Sequence, residues 1–166
     1  MTGNGDRVSS LVERVERAWR AFQCSYAGLS DARMTEPGVV GDWSVKDVIA
    51  HVTTWEEEAL KHLPLIIAGG RPPRYVTVGG IDAFNDRVTM QKRGLSLAEV
   101  LRESDHTHRR LIAFIESVPQ EAMTGETRAR RRLRLDTYGH YSLHTEAVQT
   151  WRDAEPAGAA THADAP

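Results

Sequence analysis

Two histidines, His140 and His144, stand four residues apart late in the chain. On a helix that spacing puts two imidazoles on one face, with Cβ atoms about 5–6 Å apart, which suits two nitrogen ligands of one metal ion. It suits hydrogen-bonded histidines lining a cleft equally well, so the HxxxH pattern alone does not choose. A third ligand would come from another helix. His51 is the candidate, because it flanks the apolar stripe of Val45, Val48, Ile49 and Val52, with Asp47, Trp55 and Glu58 on the same flank. Three imidazoles would suit Zn²⁺ or Ni²⁺ with an open position for water. Without a metal, His51, His140 and His144 could serve as general acid and base, since an imidazole titrates near neutrality. For His51 the plain structural alternative is a satisfied histidine at a helix interface.

Other polar and aromatic residues extend the question. Glu58 shares the flank of His51 two turns on and is the candidate acid–base partner, whereas Glu56 and Glu57 read as solvated. His108 projects towards Leu101, Leu111 and Ile115, where it either extends a polar cluster or sits at a helix boundary. Trp43, Trp55 and Tyr141 could wall a small-molecule pocket or simply fill a core. The run Arg128, Arg130, Arg131, Arg132 and Arg134 could grip a phosphate, an anionic substrate or DNA; paired with Glu121 and Glu126, it is a solvated basic patch.

These residues need helices to position them. Val8, Leu11, Val12, Val15, Trp19, Phe22 and Tyr26 recur at helical spacing and predict a first helix, with Cys24 on its outer face. Fraying is expected near 29–33, and Glu36-Pro37-Gly38 stops any continuation. Ser44 and Asp47 form a capping-box pattern for a second helix that ends at Gly69-Gly70. Residues 69–80 read as a loop, followed by a short amphipathic segment carrying Ile81, Phe84 and Val88. Ser96 and Glu99 cap a third long helix. After a break at 119–125, the last helix is expected to start in the arginine run and continue to Arg152. Four amphipathic helices with no credible sheet predict an all-α four-helix bundle over residues 1–153, with a disordered tail over 154–166.

Composition narrows the class. Hydrophobic residues at 40% and charged residues at 27% are those of a globular domain, and a net charge of −2 carries no global bias towards nucleic acid or anionic membranes. One cysteine excludes an intramolecular disulfide, and no apolar run is long enough to span a bilayer. A soluble cytoplasmic protein is the expectation.

The stretch Glu36-Pro37-Gly38-Val39, then Gly41-Asp42-Trp43-Ser44-Val45-Lys46-Asp47-Val48-Ile49-Ala50-His51 and Trp55-Glu56, resembles the DinB-like four-helix bundles, and in particular their ClbS/DfsB branch. Thr137-Tyr138-Gly139-His140-Tyr141 with His144 resembles that branch's closing motif, and Asp82-Ala83-Phe84-Asn85 fits its middle. The resemblance implies an up-down-down-up bundle with a long crossover after the second helix. It implies a divalent metal on His51, His140 and His144, and brings Asn85 into the expected substrate site beside Trp43, Trp55, Tyr141 and His108. The branch's activity resembles hydrolytic opening of a strained electrophile, which would protect the cell from a genotoxic natural product. Two other classes stay open. One is metal-dependent thiol transfer or isomerisation; the other is a non-enzymatic protein that sequesters a drug or binds DNA through the arginines. A homodimer is a further expectation.

Overall fold

Ser44 and Asp47 decide where the helix carrying His51 begins. The Ser44 hydroxyl accepts from the Asp47 N–H at 3.2 Å, and the Asp47 carboxylate accepts from the Ser44 N–H at 2.9 Å, so the shorter aspartate closes the expected box. The computed structural model describes residues 5–154. It contains α1 (Gly5–Tyr26), α2 (Asp31–Thr35), a ribbon of β1 (Pro37–Val40) and β2 (Trp43–Ser44), α3 (Val45–Ile67), a 3-10 turn (Tyr75–Val78), α4 (Ile81–Lys92), α5 (Leu97–Ser117), α6 (Gln120–Met123), α7 (Arg128–Asp136) and α8 (Tyr138–Asp153). Ser96 and Glu99 cap α5 as the sequence predicts. The expected tail lies outside the described residues apart from Ala154. No described helix is long and apolar enough to cross a membrane.

Side-chain register along the helices establishes their directions. Arg14 and Trp19 of α1 meet Tyr138 and Tyr141 of α8, while Arg152 donates to the carbonyls of Ser25 and Ala27, so α1 and α8 are parallel. Lys46 near the start of α3 donates to the Leu95 carbonyl just before α5, and Glu56 further along meets His108, so α3 and α5 are also parallel. Trp19 stacks on His108, whereas Tyr26 at the end of α1 lies by Leu101 and Asp105, which makes α1 antiparallel to α5. The result is an up-down-down-up bundle. Its crossover between α3 and α5 holds the 3-10 turn and α4, as the family resemblance implies.

Three details differ from the sequence reading. Residues 37–44 form a small antiparallel ribbon, turning through Gly38 and Gly41 at φ of +121° and +59°, and it sets Trp43 against His51. A five-residue helix replaces the expected fraying, because the Ser30 hydroxyl caps it by accepting from the Arg33 N–H. The last helix is broken: Thr137 leaves helical backbone at φ −130°, ψ −108°, and its hydroxyl donates back to the Leu133 carbonyl at 2.6 Å. That break lets α7 pack on α3 while α8 lies mainly along α1.

Gly139 makes the break possible. A Cβ there would stand 2.8 Å from the Arg134 carbonyl oxygen, in backbone that cannot swing away as a flexible side chain would. Gly139→Ala should therefore lower the unfolding free energy by about 1–3 kcal/mol. Urea denaturation checks this, and an unchanged midpoint would show that the close approach imposes no constraint.

Candidate metal centre

His51 lies in the second turn of α3, and His140 and His144 lie in the first half of α8, so antiparallel packing of those helices brings all three together. The Nε2 atom of His140 stands 3.0 Å from Nε2 of His51 and 3.0 Å from Nε2 of His144. All three residues can offer ligand atoms within 4.8 Å of one another. Trp43 packs on the His51 ring at 4.9 Å between centroids.

The donor set fits a cation. Burial and the neighbouring rings of His140 and His144 push the His51 pKa down to about 2. Burial pushes His140 down to about 3, with help from His144, and burial alone takes His144 down to about 4. Neutral imidazoles keep a lone pair, and in the absence of a cation the most these three rings can share is a single His140 Nε2 proton divided between His51 and His144. A cation at that point takes all three at once. The 3.0 Å separations lie near the edge length of a shell with metal–nitrogen bonds of about 2.0–2.1 Å. His140 Nδ1 is buried with no hydrogen-bond partner among the described residues, so the acceptor that commonly orients a ligating imidazole is not supplied by a neighbouring side chain or carbonyl.

A cavity of about 410 Å³ opens beside the histidines, with His51 and His140 in its wall. Trp55, Ile81 and Leu135 make it largely apolar; Asn85, Tyr75, Arg132 and Asp136 supply its polar groups. Trp55 Nε1 donates to Asn85 Oδ1 at 3.1 Å, so α4 in the crossover closes the side that a bare helix pair would leave open.

The other expected site residues fall elsewhere. Glu58 faces a second cavity of about 200 Å³, where it accepts from Tyr75 at 2.6 Å and pairs with His62 at 3.0 Å, reaching the first cavity only through Tyr75. Tyr141 and His108 face away from the histidines: both donate to Glu56, and His108 stacks on Trp19 at 4.2 Å. Trp43 touches the His51 ring without lining the cavity.

Glu56, which the sequence reading leaves in solvent, has no exposed surface, and burial raises its pKa despite those two donors. A signal for this is present in the spacing. Glu56 falls at helical intervals from Val52 and Ala59, on the apolar stripe itself, with Tyr141 and His108 as the donors a buried carboxylate requires. Asp136 was likewise missed, although it stands one turn before His140.

The profile of the DinB superfamily matches residues 14–147. The chain belongs to that superfamily. No curated protein matches the sequence. Among solved structures, the DinB-type bundle is similar to the colibactin self-resistance protein ClbS in complex with double-stranded DNA, at TM-score 0.73 and 12% identity over 90% of this chain and 97% of that one. It is also similar to DfsB, described as a sibling lethal factor precursor, at TM-score 0.71 and 14% identity over 87% of this chain and 94% of that one. At such identities the likeness is one of fold.

The depressed histidine pKa values have a thermodynamic consequence for metal-free protein. In the unfolded chain these groups take up protons below a pKa of about 6.5, whereas the folded protein leaves them neutral, so the unfolded state binds more protons and stability falls as pH drops. A His140→Gln/His144→Gln variant lacks two of these groups. Its melting temperature, measured with a chelator present, should decline less between about pH 6.5 and pH 4.5 than that of the parent. Parallel declines would contradict the assigned neutrality.

Proposed function

We propose that the chain is a metal-dependent enzyme of small-molecule chemistry that opens a reactive electrophile held in the cavity beside His51 and His140, as a self-protective function. The observation that carries this reading is the convergence of three imidazoles, two of which, His51 and His140, stand in the wall of a mostly apolar cavity. The fold shared with ClbS, a colibactin self-resistance protein, supports the protective direction. A divalent ion, with Zn²⁺ or Ni²⁺ suited to three nitrogens, supplies Lewis acidity at that wall.

The chain's own residues do the rest. His51, His140 and His144 hold the ion, and Trp43 and Trp55 keep the His51 ring in place. Trp55, Ile81 and Leu135 exclude water from the substrate's apolar part, while Asn85 orients Trp55. Asp136 is the proton acceptor of the cavity, because burial raises its pKa to about 7 against the pull of Arg132. Glu58 is a positioning residue that holds the Tyr75 hydroxyl.

Elemental analysis after zinc or nickel titration should find one ion per chain, and His51→Ala or His140→Ala should weaken uptake by about 100-fold or more. Consumption of a model cyclopropane electrophile should require the loaded protein. Absence of bound metal in the parent at micromolar concentrations would remove the reading.

A DNA-binding reading has its own support, since ClbS was crystallised with double-stranded DNA and Arg14, Arg130, Arg131 and Arg134 flank one cleft here. Neutralising Arg130, Arg131 and Arg134 to glutamine should reduce the slope of log affinity against log salt by about 2–3 for duplex DNA. An unchanged slope would place any DNA contact elsewhere.

A further inference from the structure

The basic run after Thr127 is not one surface. Arg131 and Arg134 are exposed, but Arg132 turns inward, its side chain 15% exposed, into the cavity that His51 and His140 also line. Two of its five N–H groups are committed. Nε donates to Asp136 at 2.5 Å, and Nη2 donates to the Tyr75 hydroxyl at 2.9 Å, which in turn donates to Glu58 at 2.6 Å. A guanidinium paired with a carboxylate frequently presents its two-pronged fork to it. Here Asp136 takes Nε alone, and Nη1 makes no hydrogen bond to any described residue.

The charge balance of the cavity points the same way. Asp136 is its only acidic lining residue, and burial raises that carboxyl to a pKa of about 7. Arg132 stays charged because Asp136 and Tyr75 offset the desolvation of its guanidinium. The cavity thus holds a fixed, oriented cation with donors to spare, beside Trp55, Ile81 and Leu135.

We infer that Arg132 forms a carboxylate-reading subsite, so that the substrate of this cavity is a small molecule with an apolar body and a carboxylate. One planar guanidinium fork matches a planar, singly charged carboxylate, and no lysine or other arginine lines this cavity. Tyr75 and Glu58 hold the guanidinium from behind, which gives those residues a positioning role in substrate selection. The inference names the substrate class for the proposed enzyme and rests on that reading for its chemistry, but its binding step needs no metal.

The test uses full-length protein stripped with a chelator, so that a carboxylate cannot report on a bound ion. The probes are 4-phenylbutyrate and its primary amide, of matched shape, with dissociation constants from calorimetry or ligand-observed NMR. The parent should bind the carboxylate about tenfold more tightly than the amide. Arg132→Gln should abolish that preference, while Arg132→Lys should keep part of it, retaining the charge without the fork. Because Arg132→Gln leaves a buried carboxylate unpaired, the Arg132→Gln/Asp136→Asn variant replaces the whole pair with neutral amides and should lose the preference equally. Equal binding of the two probes by the parent overturns the subsite, and so does a preference that survives in the double variant. Zinc uptake is measured separately. Failure of uptake with the carboxylate preference intact removes the metal reading alone, and the converse removes the subsite alone.

Discussion

A carboxylate with no exposed surface sits at the middle of this bundle. Glu56 of α3 accepts hydrogen bonds from His108 of α5 and Tyr141 of α8, and His108 stacks on Trp19 of α1. Polar groups buried in a core are costly without partners, so this cluster strongly favours one relative placement of the helices. Tyr141 immediately follows His140. Docking its hydroxyl on Glu56 sets the rotation of α8 that turns His140 and His144 towards His51.

The second constraint is the enclosure of α3. Most of its residues from Val45 to Ala59 are buried, polar ones included, because α5, α7 and α8 pack around it and the crossover segment covers the remaining face. Trp55 shows how. It touches Tyr75 of the 3-10 turn and Phe84 of α4, and donates to Asn85. A long connection thereby becomes one wall of the cavity, and the same wall carries Tyr75 into contact with Arg132. Fold topology and site construction are here the same fact: only a crossover that returns over the outside of α3 can supply these residues.

The break at Thr137 divides labour along the last part of the chain. α7 faces α3 and brings Arg132 and Asp136 to the cavity, while α8 brings the paired histidines and runs along α1. A continuous helix would hold Arg132, Asp136 and His140 on one stripe at regular spacing. The kink changes the direction between the first two and the third, so that a cation-and-carboxylate pair and a histidine cluster border one space.

Much of this was legible along the chain. Apolar spacing marks the long helices, the Ser44/Asp47 and Ser96/Glu99 boxes mark two of their starts, and the one-turn separation of His140 and His144 needs no tertiary information, because these features depend on contacts within a few residues. The flank of the α3 stripe nominated His51 as the third histidine, and the resemblance to DinB-like bundles joined it to the pair as one metal site and supplied the up-down-down-up topology. What could not be read locally was which side of α3 meets solvent. A wheel for α3 shows one apolar stripe and places Glu58 beside His51, but not that Glu58 is captured by Tyr75 and His62, nor that Glu56 is sealed between two other helices. The arginine run is the same case: as sequence it is one basic stretch, yet a helix points successive side chains in different directions, and only the packing of α7 on α3 decided that Arg132 alone turns to the cavity. Local hydrogen bonding and periodicity determine the elements; burial, which depends on neighbours distant in sequence, determines what each polar side chain is for.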